Sequence, residues 1–500
     1  QEAAGLLGAI RLEGATWSGN VTLGGNARLG NHGGEATYSG IIGGAGDLTL
    51  YNANTWYNMY FSGAQNNVYT GDTYVATYCI LRPRKSGGAI AIPGDLQFGS
   101  ASQATYVRFY KDYNNQFAEG ATVYFNAAWG QWARFELDGT TQTVANVVNG
   151  STLGGIIQNS EWTYEGNGAA VVGRLVLTNV GNTVFDGYFR DGTAAYGKLA
   201  FTLDSPGGTF TLGGPSHSTL ITYTGPTAVS NGTLRLTDTT GFASDATVNT
   251  PGVLEFNSTA ANDATPDWAY AKVLSGSGTV NKTGTGWVYI QAGTVSMSGQ
   301  INVQAGILSG GSSGSTWTGN TAALDVSGGA KFDLWGNNVI IGALTGSGTV
   351  SQGNGASAYR LTLGNGDAGG TFSGVIQNIS GSLVLAKIGA GTQILSGNNT
   401  YTGGTIVSNG TLTVNGSLTN CNIAISGGTL NGSGKLYYQL ANDVTDKIQM
   451  SGSGTINISG LQDDEEREVR GDLGSGSVWM EDRAPVKVHV RIEPDERPAP

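Results

Sequence analysis

The feature that most constrains the fold of this 500-residue chain is an internal repeat. The segment TYTGPTAVSNGTLRL at 222–236 returns as TYTGGTIVSNGTLTV at 400–414, with 11 of 15 positions identical. Looser copies include LSGSGTV from Leu274 and LTGSGTV from Leu344. A chain that reuses one short unit buries the apolar face of each copy against the next copy. The sequence therefore predicts a stack of similar structural units.

The repeated unit has the pattern of short β-strands joined by tight turns. Apolar and polar residues alternate, as in Thr411–Val414, and Asn-Gly or Gly-Gly pairs recur about every ten residues. The 82 glycines are roughly twice the usual share, while 39% hydrophobic residues is too many for a disordered chain. We predict an all-β protein whose turns include the pairs Asn231-Gly232, Asn409-Gly410 and Asn431-Gly432.

Residues 370–416 resemble one nearly complete autotransporter-associated β-strand repeat, also called the passenger-associated transport repeat. The marks are SGVIQN from Ser373, KIGAGTQ from Lys387, NNTYTGGT from Asn398 and NGTLTVNGS from Asn409. Residues 222–236 form a partial copy. The resemblance implies an exported bacterial protein that folds as a right-handed parallel β-helix outside the outer membrane. Turns of roughly 20 residues, stacked about 4.8 Å apart, would give on the order of 23 turns and a rod.

Composition divides the chain into three predicted parts. Residues 1–150 form an aromatic-rich solenoid section, 151–460 a solenoid with the recognisable repeats, and 461–500 a charged linker with a C-terminal strand. The last 40 residues hold 17 of the 61 charged residues and 4 of the 11 prolines. This shift in composition is typical of a segment that leaves the repeated fold.

The tail contains one amphipathic strand, VKVHVRIE at 486–493. Alternation places Val486, Val488, Val490 and Ile492 on one face. Such a strand could fold back over the last turn of its own solenoid. It could also add to the open edge of a neighbouring molecule and so connect subunits. Both interpretations stay open at this point.

An aromatic stretch between Tyr51 and Phe135 holds 19 of the 45 aromatic residues. Basic residues lie among them: Arg82, Arg84, Lys85, Arg108, Lys111 and Arg134. Three interpretations fit, namely a wider core filled by rings, a subunit interface, or a glycan-binding surface. The candidate residues for an interface or a glycan patch are Tyr106, Tyr110, Tyr113, Trp129 and Trp132.

Charge and composition argue against several classes of function. The net charge of −11 disfavours nucleic acid, and no run of 18 apolar residues predicts a transmembrane helix. Cys79 and Cys421 lie too far apart in a stack to form a disulfide, so we expect buried thiols. The scattered histidines, His32, His217 and His489, give no metal site or catalytic triad. We expect no cofactor and no catalytic residues.

We therefore predict a non-enzymatic, extracellular protein of a bacterial cell surface. The first hypothesis is a structural subunit of a fibre, sheath or appendage, whose partner is a second copy of the chain stacked end to end. The alternative is a monomeric adhesin passenger that binds glycans or host surfaces. A weaker alternative is a polysaccharide lyase or hydrolase on a β-helix.

Overall fold

The structure is a computed structural model. It describes residues 10–52, 56–76, 78–99, 105–109, 113–126, 132–149, 155–160, 171–192, 197–213, 220–260, 266–291, 293–311, 315–419 and 422–437, together with the backbone of five later strands. These residues form an all-β parallel solenoid, which confirms the predicted fold class. One short 3-10 helix spans Asn365–Asp367, and the described part of the chain contains no α-helix. Contacts divide the chain into two compact units, Gln1–Leu254 and Glu255–Pro500.

The first unit is built from parallel sheets in which each strand pairs with the strand one turn later. An eight-stranded sheet contains Thr16–Trp17, Ala36–Tyr38, Asn58–Phe61, Ile80–Pro83, Thr105–Arg108, Ala133–Glu136, Gly155–Gln158 and Tyr188–Arg190. A seven-stranded sheet contains Ile10–Leu12, Ala27–Asn31, Leu48–Asn52, Thr73–Val75, Leu96–Phe98, Thr122–Phe125 and Asn146–Asn149. A three-stranded sheet contains Val21–Gly24, Ile42–Ala45 and Val68–Tyr69. The remaining strands are Thr141–Val144, Val172–Leu177, Asn182–Phe185, Lys198–Leu212, Thr227–Thr237, Ala246–Val248 and Val253–Asn257, within which the first unit ends.

The second unit has the same parallel pattern. A six-stranded sheet contains Trp268–Tyr270, Trp287–Ile290, Ile307–Ser309, Lys331–Asp333, Thr349–Gln352 and Val375–Asn378. An eight-stranded sheet contains Val339–Ile340, Ala358–Leu363, Ser382–Lys387, Thr405–Val407, Ile423–Ile425, Ile448–Met450, Arg467–Gly471 and Val488–Arg491. A three-stranded sheet contains Asn398–Asn399, Ser417–Thr419 and Lys435–Tyr437. A long sheet contains Leu274–Gly276, Thr279–Thr283, Val295–Met297, Gln300–Val303, Ala323–Val326, Leu344–Gly346, Gly370–Phe372, Thr392–Leu395, Thr411–Val414, Thr429–Gly432, Thr455–Ile458 and Val478–Trp479.

The turn length predicted from the repeats is too short for much of the chain. Thr411 pairs with Thr429 across a short turn, but Thr105 pairs with Ala133 across a much longer one. The spacing between paired strands in the described residues therefore differs from one turn to the next. The clear repeats at 222–236 and 400–414 indicated a short turn length. The other turns carry longer loops, which do not repeat in sequence and so left no signal.

The core consists of inward-facing columns that cross the strands. In the eight-stranded sheet of the first unit, Met59, Leu81, Val107, Phe135 and Ile157 occupy the same register position in successive strands. All five side chains are fully buried. Because side chains alternate along a strand, their neighbours in sequence lie on the opposite side of the sheet. Burial of one apolar column in each turn drives the stacking.

Glycine is required at the predicted corners. Gly410 adopts a φ of 62°, which confirms a turn there, whereas Gly232, with a φ of 77°, lies inside the strand Thr227–Thr237 where its pairing with Lys198–Leu212 shifts register. A Cβ atom at Gly410 would also collide with the carbonyl oxygen of Gly389 in the turn below. The left-handed conformation and the close approach both exclude a side chain at this position.

The C-terminal strand pairs inside its own chain. Val488–Arg491 lies parallel to Arg467–Gly471, with Val490 opposite Val469. Val486 and Ile492 lie outside the described residues, and only the backbone of Val488 and Val490 is described. The subunit-connecting role of this strand and the three-part division of the chain remain predictions.

Candidate functional site

The outer side of the eight-stranded sheet in the first unit carries two columns of polar and aromatic residues. One column runs Tyr60, Arg82, Arg108, Glu136, Gln158 and Arg190. The second runs Asn58, Ile80, Tyr106, Arg134, Ile156 and Tyr188. We call these two columns, with Glu35, Trp56, Arg84 and Trp132 beside them, the arginine–aromatic face. The face exists because register holds equivalent positions of successive turns directly opposite each other.

The aromatic residues of this region divide by type between the two sides of the sheet. Phe61, Phe109 and Phe135 are fully buried on the core side. Tyr106 and Trp132 are only half-buried, and Trp56 is 47% exposed. Phenylalanine has no polar atom to satisfy, whereas tyrosine and tryptophan carry a polar group that favours a partly wet position. The aromatic stretch therefore serves as core and as surface at once.

A hydrogen-bonded charge network links four strands of the face. The guanidinium of Arg108 donates from Nε to the carboxylate of Glu136, a side chain that is fully buried. Gln158 Nε2 donates to the other oxygen of Glu136 at 2.8 Å, and Arg190 Nε donates to Gln158 Oε1 at 2.9 Å. Charge-assisted bonds of this kind are short and geometrically specific. The network fixes the guanidinium of Arg108 in one orientation.

Arginine side chains also stack on the rings of the face. Arg108 and Arg134 lie over the ring of Tyr106, with the guanidinium carbon 5.3 and 5.2 Å from its centre. Arg84 lies 3.7 Å from the centre of the Tyr60 ring. Trp132 meets Tyr188 edge to face at 5.6 Å. Cation–π and edge-to-face contacts hold these long side chains in place, with Tyr60 and Arg108 buried.

A cleft of about 400 Å³ opens at one end of the face. Its lining residues come from successive turns of the solenoid: Glu35, Trp56, Asn58, Ile80, Arg82, Tyr106 and Arg108. Trp56 meets Tyr106 edge to face at 5.4 Å. Glu35 accepts hydrogen bonds from Asn58 Nδ2 at 2.7 Å and from the Tyr60 hydroxyl at 3.1 Å. The cleft thus combines ring surfaces, a carboxylate, an amide and guanidinium groups.

Arginine is concentrated on the described part of this face, in a chain whose net charge is −11. The described part of the face holds five arginines, Arg82, Arg84, Arg108, Arg134 and Arg190, and two carboxylates, Glu35 and Glu136, of which Glu136 is paired with Arg108. Burial lowers the pKa of Arg190, and the nearby charge of Arg134 lowers that pKa further, while Glu136 acts in the opposite direction. The fold therefore holds like charges close together.

The structure brings together two of the five predicted aromatic candidates. Tyr106 lines the cleft, and Trp132 lies on the same face beside Tyr188. Tyr113 does not line the cleft; its carbonyl oxygen accepts a hydrogen bond from Gln142 Nε2 at 2.9 Å. Tyr110 and Trp129 lie outside the described residues. Whether any of these residues binds a ligand or a subunit stays a prediction.

Sequence reasoning missed Glu35, Trp56, Asn58 and Arg190 as members of one face. The signal that could have found them is register. Asn58 pairs with Ile80, and Ile80 pairs with Tyr106, although the two pairs have different spacings along the chain. Unequal turn lengths hide this periodicity in the sequence.

The described residues offer few other candidates for a functional site. No three His, Cys, Asp or Glu side chains in this part of the chain lie close enough together to hold a metal ion. His217 lies outside the described residues, and only the backbone of His489 is described. None of the described helices has the length and apolar character needed to cross a membrane.

Comparison with known proteins identifies the repeat. The passenger-associated-transport-repeat family matches residues 207–236 and 385–414. This chain carries passenger-associated transport repeats. The adhesin BmaC autotransporter of Brucella suis biovar 1 is 33% identical over 136 residues, which are 27% of this chain and 4% of that protein. The passenger-like chain thus spans a small fraction of the length of this relative, and no solved structure matches it.

Proposed function

We propose that this chain is a non-enzymatic passenger solenoid, exposed at a bacterial cell surface, that adheres to other surfaces through the arginine–aromatic face. One observation carries the proposal, namely the two columns of arginine, tyrosine and other polar residues that register aligns on one sheet. The passenger repeats and the adhesin relative support an exported, adhesive role.

The physical chemistry of the face suits adhesion. Tyrosine, tryptophan and arginine are the residues that contribute most to binding at interfaces, because the two aromatic residues present a large contact area with little loss of conformational freedom and arginine offers a planar group with several hydrogen-bond donors. Here Arg108 is already held by Glu136 and Tyr106, so binding would order few additional side chains.

An adhesion assay tests the proposal. Beads coated with the full chain should bind cultured epithelial cells, and Trp56→Ala should reduce the bound fraction at least fivefold. Trp17→Ala is the matched control, since Trp17 is 41% exposed in the same sheet but does not line the cleft. Binding of wild-type beads no greater than that of uncoated beads would overturn the proposal, as would equal loss in both variants.

A fibre subunit is the second candidate. The observation in its favour is the strand Val488–Arg491, whose alternating valines and parallel pairing suit addition to a sheet edge. The same strand pairs with Arg467–Gly471 of its own chain, which supports intrachain capping instead. Filaments in electron micrographs of the purified full chain would favour the fibre over the adhesin.

A further inference from the structure

We infer that the cleft binds an uncharged pyranose of a surface glycan, with the sugar ring against Trp56 and its hydroxyl groups bonded to Glu35 and Tyr106. This inference rests on the proposed adhesive function and names the class of ligand. It depends on the groups of the cleft that solvent reaches, whereas the arginines in the lining are buried.

The most exposed ring of the cleft lining is the indole of Trp56, which is 47% exposed. It stands edge to face with Tyr78 at 5.2 Å and with Tyr106 at 5.4 Å. These contacts hold the indole in one orientation, so little side-chain freedom is lost when a ligand packs against it. A flat apolar ring suits the C–H face of a pyranose, and the cleft of about 400 Å³ lies in the size range of small-ligand clefts.

Polar groups that line the same cleft have hydrogen-bonding capacity left over. Glu35 is exposed, and its oxygens accept bonds from Asn58 Nδ2 at 2.7 Å and from the Tyr60 hydroxyl at 3.1 Å. An ionised carboxylate has about four acceptor positions, so Glu35 can accept further bonds. No described residue donates a hydrogen bond to Asn58 Oδ1 or bonds to the hydroxyl of Tyr106. These atoms offer acceptors and a donor to the hydroxyl groups of a sugar.

The charges of the cleft favour a neutral ligand. Arg82 and Arg108 are only 1% and 8% exposed, and Arg108 is ion-paired with the fully buried Glu136. The charge that a ligand meets is therefore the carboxylate of Glu35, to which the described part of the chain supplies no cation. This carboxylate would repel an anionic ligand, and the two buried guanidinium groups would repel a cationic one. An uncharged sugar avoids both costs and gains charge-assisted hydrogen bonds to Glu35.

Binding of matched sugar pairs tests the ligand class. The probes are the methyl glycosides of galactose, glucose and mannose, each paired with its uronate, in which a carboxylate replaces the hydroxymethyl group. Ligand-detected NMR titration of the full chain should show millimolar binding of at least one neutral glycoside, about fivefold tighter than its uronate. This affinity should not change with sodium chloride, because salt does not screen an uncharged ligand. No binding of any neutral glycoside would overturn the inference, as would a uronate that binds as tightly as its neutral partner.

A matched pair of tryptophan variants locates the binding. Trp56→Ala should weaken the neutral glycoside about tenfold, because it removes the ring against which the sugar packs. Trp17→Ala is the control, since Trp17 is 41% exposed but does not line the cleft. Circular dichroism confirms that both variants fold. Equal weakening by the two variants would place the sugar elsewhere and overturn the assignment.

A second pair of variants tests the carboxylate. Glu35→Gln keeps an acceptor for Asn58 but replaces a charge-assisted bond to the sugar by a neutral one. The neutral glycoside should therefore bind about three- to tenfold more weakly, while its uronate, relieved of repulsion, should not. Glu119→Gln is the control, because Glu119 is an exposed carboxylate of the same unit that does not line the cleft. Unchanged affinity of Glu35→Gln for the neutral glycoside would contradict the assigned bond.

The two proposals fail in different ways. Beads that adhere to cells, with a loss in Trp56→Ala, but that bind none of the neutral glycosides would retain the adhesin and reject the saccharide in favour of a protein partner. Beads that do not adhere would reject the adhesin itself. Inhibition of adhesion by the bound glycoside, but not by its uronate, is the result that supports both.

Discussion

Cys79, a residue of the first unit, carries a thiol whose ionisation should affect stability. Its side chain is buried, and burial raises the pKa of the thiol from 9.0 to about 12. The folded state therefore keeps the proton between pH 9 and 12, whereas the unfolded chain releases it. Stabilisation is complete below pH 9 and is lost as the pH rises toward 12, with a loss of about 1.4 kcal/mol at pH 10.

Comparison of the wild type with Cys79→Ala measures this effect. Urea titrations give the free energy of unfolding of each protein at pH 8 and at pH 10. The difference between the wild type and Cys79→Ala should be about 1.4 kcal/mol less favourable to the wild type at pH 10 than at pH 8. Ionisation of tyrosines is common to both proteins and cancels. A difference that does not change with pH would mean that Cys79 is accessible to water in the folded state. The other cysteine, Cys421, lies outside the described residues.

A tyrosine–threonine pair closes the same corner at three places in the solenoid. The hydroxyls of Tyr69 and Thr73, Tyr223 and Thr227, and Tyr401 and Thr405 lie 2.5, 2.7 and 2.7 Å apart, and all are buried. Two of these pairs belong to the recognised repeats. The pair at Tyr69 lies in YTGDT, a third copy of the corner that the sequence repeat alone did not single out.

Tyr401→Phe should destabilise the chain by about 1 kcal/mol, because it removes one buried hydrogen bond and leaves the ring in place. Thermal unfolding measures the loss. Tyr289→Phe is the control, since the half-buried Tyr289 lies in the strand Trp287–Ile290 and belongs to no such corner. Equal effects in the two variants would show that the corner bond adds no stability.

At the scale of the element, buried lysines cap the turns of the sequence K-x-G-x-G. Lys387 Nζ donates to the carbonyl oxygens of Ile388 at 2.5 Å and Gly389 at 2.8 Å. Lys282 Nζ donates to those of Thr283, Gly284 and Ala305 at 2.7, 2.9 and 3.1 Å. Burial lowers the pKa of Lys387, and the charge of Asp367 opposes that shift. The lysine satisfies carbonyls that a strand-to-strand turn would otherwise leave without donors.

Lys387→Met should cost about 2–3 kcal/mol, because methionine fills the space but donates no hydrogen bond to the buried carbonyls. The measurement is the thermal midpoint together with hydrogen exchange of the turn. Lys331→Met serves as the control, since the half-buried Lys331 lies over the ring of Trp287 at 5.9 Å. A loss in the control as large as that in Lys387→Met would contradict the cap.

The strands and corners of the repeats could be predicted from the sequence, whereas the cleft could not. The repeat predicted a stacked all-β fold, and Asn409-Gly410 predicted a corner, because short alternating strands and positive φ leave local marks; that the solenoid is parallel was implied by the resemblance to the passenger-associated transport repeat. The cleft was not predictable in the same way. Glu35, Asn58 and Tyr106 meet only through the pairing of strands separated by loops of unequal length, and no local pattern encodes that length.

At the scale of the whole molecule, the last strands cover the edges of earlier ones. Arg467–Gly471 pairs with Ile448–Met450, and Val478–Trp479 pairs with Thr455–Ile458. Truncation after Gly460 removes both covering strands. Uncovered parallel edges present unpaired N–H and C=O groups and recruit other strands. The adhesin proposal therefore predicts that the full chain is monomeric and that the truncated chain self-associates.

Light scattering of both proteins at equal concentration measures this contrast, with electron microscopy of the same samples. A strand-exchange fibre predicts the reverse, since loss of Val488–Arg491 would then remove the connection between subunits. The intrachain register of Val488 opposite Arg467 is the reason to expect a monomeric full chain. Large particles from the full chain that disperse on truncation would reject the monomeric adhesin and establish the fibre.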